Sequence, residues 1–199
     1  MKNLVLKTVA ITVTAIIVIL AGAYLILALA FPKTLAEGYD AIGSYSLSVK
    51  YYEKQYNKSG DIADLAALCV KSDVKADASR AVKYLAELTE SEDFSAYCER
   101  EDKNGGFKMT AYEFYYGRYT VATFFESGVA AAITVAEKAV SAGYTENDAF
   151  YILLLDAETL SASDGIAVKA AITGIKSRLT DATEQGYAER DIALADGLQ

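Results

Sequence analysis

The sequence predicts an all-α protein, a single N-terminal transmembrane helix followed by an array of α-hairpins, either a solenoid or an irregular helical bundle. Three observations carry this expectation. The 25 residues between Lys7 and Lys33 hold no charge, and about 20 helical residues suffice to cross a hydrocarbon core near 30 Å thick. The single proline, Pro32, falls where that helix should stop, and 167 residues without proline follow it. Those residues are rich in Ala, Leu, Glu and Lys, place apolar side chains at helical spacing, and show no sustained alternation of the kind a strand needs.

The apolar segment is placed at residues 8–31, with 1–7 as a cytoplasmic N-terminus. Lys2 and Lys7 precede it without an acid between them, and Glu37 is the first acidic residue of the chain. Positive flanks favour the cytoplasmic side, so the helical domain, 33–199, is expected outside the cytoplasm. Two fates stay open for the segment. Ala28-Leu29-Ala30 fits the small-x-small pattern of a signal-peptide site, with cleavage before Phe31. Against cleavage, the apolar run exceeds the roughly 7–15 residues of a signal core, which favours a retained anchor.

Pro32 bars continuation of the first helix. Beyond it the pattern predicts helices at 35–43 and 44–58. A helix at 61–72 follows, opened by Asp61, whose carboxylate can cap first-turn amides, with Ile62, Leu65, Ala66 and Cys69 on one face. Helices at 76–91 and 93–101 come next. Asn104-Gly105-Gly106 is the strongest break and divides the domain into two halves near 103–107. After it, helices are expected at 108–126, at 129–142 ended by Gly143, and at 145–161 opened by Thr145 and Asp148. Ser163 is expected to open a helix at 164–185, striped by Val168, Ala171, Ile172, Ile175 and Leu179. A short tail helix is expected at 187–196.

Composition narrows the functions. The formal net charge is −8; setting aside Lys2 and Lys7 leaves 17 basic and 27 acidic residues, a net of −10. Such a domain repels phosphate backbones, so no nucleic-acid partner is expected. The chain has no histidine, which excludes Ser-His-Asp and Cys-His catalysis and His-ligated zinc or haem. Two cysteines alone cannot cage a metal. Glu99, Glu101, Asp102 and Asn104 cluster before Gly105, but their order is not that of an EF-hand, and they read as a solvated acidic turn. Glu87, Glu90, Glu92 and Asp93 read as a charged helix exit. No cofactor is expected, and the chain is read as having no enzymatic activity. A carboxylate-dependent hydrolase of envelope polymers stays formally open, although no acid stands in an apolar setting.

The densest local feature is AYEFYYGRYTVATFFES, residues 111–127. Its rings spread over more than one helical face, which suits a central core helix. They also suit a partner-binding groove, because Tyr and Arg favour binding hot spots. Tyr112, Tyr115, Tyr116, Arg118 and Tyr119 are the candidate partner-binding residues. Cys69 and Cys98 could pair as a disulfide outside the cytoplasm or persist as two buried thiols.

The sequence also echoes itself. Leu47 and Tyr51 are matched 34 residues later by Ala81 and Leu85; Gly128, Ala131 and Val135 are matched 37 residues later by Gly165, Val168 and Ile172. With Leu65 and Leu68 on one helix and Ala81 and Leu85 on the next, residues 61–91 resemble a degenerate tetratricopeptide repeat. Cys69, Ser72 and Asp93 stand where that family usually has a small residue, an aromatic and a proline. The resemblance implies a scaffold that binds a peptide or helix in a concave groove, without chemistry of its own. The expected function is therefore a membrane-anchored, extracytoplasmic interaction domain that touches the bilayer through 8–31 and binds a protein or peptide. The alternative is a secreted helical ligand-binding protein released at Ala30.

Overall fold

The computed structural model describes residues 2–105, 109–142, 153, 161–177 and 179–197. Among them every regular element is a helix. They are α1 (Lys2–Ala30), α2 (Pro32–Ala41), α3 (Tyr45–Ser59), α4 (Ile62–Lys71), α5 (Ala78–Glu90), α6 (Phe94–Lys103), α7 (Ala111–Ser127), α8 (Val129–Ser141), α9 (Ala162–Lys176) and α10 (Ala182–Asp196). The chain divides into two compact units, Met1–Lys71 and Ser72–Gln199. The break at Asn104-Gly105 lies inside the second unit.

In α1, Leu6–Ala30 is long and apolar enough to cross a membrane. Leu6, Ile11, Ile16, Ile19 and Leu25 are all exposed, so the helix is apolar on every side and almost nothing in the protein covers it. Thr12 and Thr14 donate their hydroxyls to the carbonyls of Thr8 and Ala10, which satisfies both within the helix.

Pro32 ends α1 and also begins α2, three residues before the expected start at 35. The reason is that the first helical position needs no N–H, so proline costs no bond there. The α2–α3 turn closes through Gly43, whose φ of +74° a side chain would resist. Gly60, at φ +64°, stops α3 in the same way. Asp61 caps α4 as expected, its Oδ1 accepting the Ala63 amide at 2.7 Å. In this unit α2 packs on α3, α3 on α4, and the end of α1 on α2. The core is Ala36, Val49, Tyr51, Tyr52, Leu65, Leu68 and Cys69.

The second unit is built around α7, which packs against α5, α6 and α8. A reciprocal capping box opens it: the Glu113 amide donates to Thr110 Oγ1, and the Thr110 amide to Glu113 Oε2. Further along, α8 meets α9, and α9 meets α10.

The expected long helix at 164–185 is corrected to two. α9 ends at Lys176, and α10 starts at Ala182 rather than 187. Asp181 is the cause, because its carboxylate accepts the amides of Thr183 and Glu184 and so founds a new N-terminus. The cap of α9 is likewise Ser161, boxed with Asp164, and not Ser163. Of the helix expected at 145–161, only Leu153, which is helical and buried, and Ser161, the cap of α9, are described; Gly143, Thr145 and Asp148 lie outside the described residues.

Candidate functional site

The first unit gathers polar side chains where α1 meets α2 and α3. Tyr24 of α1 and Tyr51 of α3 share a hydrogen bond between their hydroxyls. The Tyr39 ring of α2 stacks on Tyr51 with centroids 5.6 Å apart. At the end of α1, Lys58 Nζ donates to the Ala30 carbonyl at 2.8 Å. A cation at a helix C-terminus satisfies an orphan carbonyl and complements the helix dipole. Ala28, two residues before, is buried at 7 % exposure. The last turns of α1 are thus part of the packed unit.

Beside this joint stands Asp64, a buried carboxylate on the first turn of α4. It accepts from Gln55 Nε2 at 2.8 Å and Ser59 Oγ at 2.7 Å, with Lys33 Nζ at 3.9 Å. One acid thereby ties α2, α3 and α4, and its donors offset the cost of burying the charge. Lys71 at the end of α4 is paired with Asp40 of α2; that hydrogen bond raises the lysine's pKa. Burial raises the pKa of the Tyr52 hydroxyl nearby.

In the second unit the five candidate partner-binding residues of α7 separate. Tyr115 and Tyr116 are buried, at 1 % and 3 % exposure, while Tyr112, Arg118 and Tyr119 are half-buried. Phe94 of α6 meets Tyr112, Tyr115 and Tyr116 at centroid distances of 5.4, 6.1 and 6.0 Å, and Tyr97 meets Tyr115 at 6.1 Å. These are tilted and edge-on contacts, the arrangements that aromatic quadrupoles prefer. Arg118 donates through Nη2 to the Ser72 carbonyl and lies 5.7 Å from the Phe114 ring. Burial pushes the pKa values of Tyr97, Tyr112 and Tyr119 upward. All three therefore stay protonated at neutral pH and act as hydrogen-bonding groups, not as bases.

Both cysteines are buried thiols, Cys69 in the first unit and Cys98 in the second. Burial pushes Cys98 up to about 12, helped by Asp102 and Glu101. The acidic turn places Asp102 as a structural acceptor, its Oδ1 taking the Ala111 amide at 2.6 Å. Among the described residues no group of three or more acids or cysteines stands close enough to hold a metal ion. A shallow depression on α9, lined by Ile166, Lys169, Ala170, Thr173 and Gly174, carries no carboxylate.

The Tyr24–Tyr39–Tyr51 joint and the Asp64 hub do not figure among the sequence-derived candidates. A signal for the joint exists, since Tyr24 is the only tyrosine in the apolar run. Asp64 has no comparable mark, because an acid three residues past a cap reads as a first-turn dipole partner. No family model, curated protein or solved structure matches the chain.

Proposed function

We propose that this protein is a single-pass membrane protein with its N-terminus in the cytoplasm, presenting an extracytoplasmic helical domain that binds a protein or peptide partner. The observation that carries the reading is the joint at the end of α1. Lys58 holds the Ala30 carbonyl, Ala28 is buried, and Tyr24 is bonded to Tyr51. A signal peptidase needs an extended strand at its site, whereas Ala28-Leu29-Ala30 is helical, with Ala28 buried and the Ala30 carbonyl held by Lys58. This supports retention of the segment as an anchor over secretion after Ala30. Lys2 and Lys7 on its short flank support the orientation.

The domain acts as a scaffold without chemistry of its own. Packed consecutive helices, α2 with α3, α7 with α8 and α9 with α10, support an α-hairpin array of the tetratricopeptide-like kind. Partner contact falls to Tyr112 and Tyr119, whose rings are half-buried at the margin of the second unit's core, with Arg118 between them. The test is an affinity capture of the full chain from detergent-solubilised membranes, with Tyr119→Ala alongside. A specific protein recovered with the wild type and lost with the variant is expected. Recovery of no specific partner by the wild type overturns the interaction role.

A further inference from the structure

The α2–α3 hairpin points back along α1. Two contacts fix its sense: Tyr51 meets Tyr24, and seven residues later Lys58 meets Ala30, six residues beyond Tyr24. α3 therefore runs in the same direction as α1, and α2, which brings Tyr39 to the level of Tyr51, runs against it. Tyr45, at the start of α3, lies six residues before Tyr51, about 9 Å at 1.5 Å per residue. With the axes of α3 and α1 taken as parallel, that is the level of Val18 of α1.

The chemistry of this tip matches the segment it approaches. Residues 41–49, AIGSYSLSV, carry no charge in a chain that is 23 % charged. Ile42 is 75 % exposed, Tyr45 68 % and Leu47 37 %. Within the turn the Gly43 amide donates to the Asp40 carbonyl at 3.0 Å and the Ser44 amide to the Tyr39 carbonyl at 2.8 Å, while Ser44 makes no side-chain cap, so the first-turn amides of α3 are left for headgroup or water oxygens. Asp40, the nearest charge on the α2 side, is neutralised by Lys71.

From this geometry we propose that the α2–α3 tip, Ile42 to Tyr45, is immersed in the outer leaflet beside α1, so that the first unit meets the bilayer at two places. The inference rests on α1 spanning the membrane. Twenty residues counted from Thr8 end at Leu27; counted from Leu4, with Lys7 reaching back to the headgroups, they end at Ala23. In either register the level of Val18 falls about 7–14 Å inside the outer boundary. An exposed isoleucine and a tyrosine suit that depth, the aliphatic chain among acyl chains and the phenol reaching toward headgroups.

Because the chain has no tryptophan, a single introduced one reports its own surroundings. Ile42→Trp, Tyr45→Trp, Leu20→Trp and Asn57→Trp are each placed in the full chain and reconstituted in phosphatidylcholine vesicles, with or without bromine on the upper acyl chain. Leu20 tests the span itself, and Asn57, exposed at the far end of α3, serves as the aqueous reference. Blue-shifted emission and loss of intensity to bromine are expected at 20, 42 and 45, but not at 57. If 20 is quenched while 42 and 45 behave like 57, α1 spans and the tip stays in water, which overturns this inference alone. If 20 is not quenched either, the membrane span fails and the inference falls with it.

Discussion

In the first unit polar ties join helices around an aliphatic and tyrosine core, whereas in the second a dense aromatic cluster gathers around α7. Tyr24–Tyr51, Lys58 on Ala30, Lys71 on Asp40 and the Asp64 hub hold α1 to α4. Around α7 the grip comes from the rings of Phe94, Tyr97, Tyr112, Tyr115 and Tyr116. The difference follows from where apolar surface is available. α1 turns its apolar side chains outward, so its attachment to the rest of the unit leans on hydrogen bonds, each worth about 0.5–1.5 kcal/mol net between neutral groups and about 1.5–3 kcal/mol where a charged group takes part. The second unit has no such outlet and stacks its aromatics inward, gaining area burial and ring geometry together.

The contrast can be broken at several points. The largest effect is expected at Cys98. With its thiol near 12 against an ordinary value of 9, alkylation of the folded protein at pH 8 should run about a thousandfold slower than in the unfolded chain, read by peptide mass mapping. The sign for stability follows. The folded unit keeps the thiol proton where the unfolded chain loses it, so stability is level below pH 9 and falls as pH rises from 9 to about 12. The raised tyrosines act in the same direction above pH 10. Rapid labelling at pH 8 would mean that the ring cluster is open to water.

Next is Tyr115→Ala, which removes the most buried ring of the cluster and should cost about 3–5 kcal/mol. Thermal unfolding followed by circular dichroism measures it; an unchanged midpoint would mean that α6 and α7 do not form the second unit's core. In the first unit, Asp64→Ala should cost about 1–3 kcal/mol, because Gln55 and Ser59 lose their acceptor. Hydrogen exchange should then rise in α3 and α4 while α7 stays protected. Smallest is Thr110→Ala, which opens the capping box of α7 at a cost of about 1 kcal/mol. Thermal unfolding reads that too, and Thr110→Ser should restore most of the loss.

Helix content was legible in the sequence because periodicity and terminators act locally. Asp61, Gly60 and Pro32 all punctuate the chain by their own chemistry. The error at 164–185 was local as well: Asp181, with Glu184 three residues on, is a capping pattern that follows directly on an apolar stripe ending at Leu179. What could not be read was which aromatics face inward. Tyr112, Tyr115, Tyr116 and Tyr119 share one composition, and only the packing of α5, α6 and α8 around α7 decides that Tyr115 and Tyr116 are covered while Tyr112 and Tyr119 keep an edge. At the joint, Tyr24 is marked by its apolar surroundings, but Tyr51 lies 27 residues away and its own neighbours do not single it out as the partner.

The most direct test of the retained anchor is the N-terminal peptide of the protein recovered from salt-washed membranes. The packed end of α1 predicts a continuous peptide across Ala30–Phe31 and protein confined to the membrane fraction. A new N-terminus at Phe31, with the protein in the soluble fraction, would contradict it.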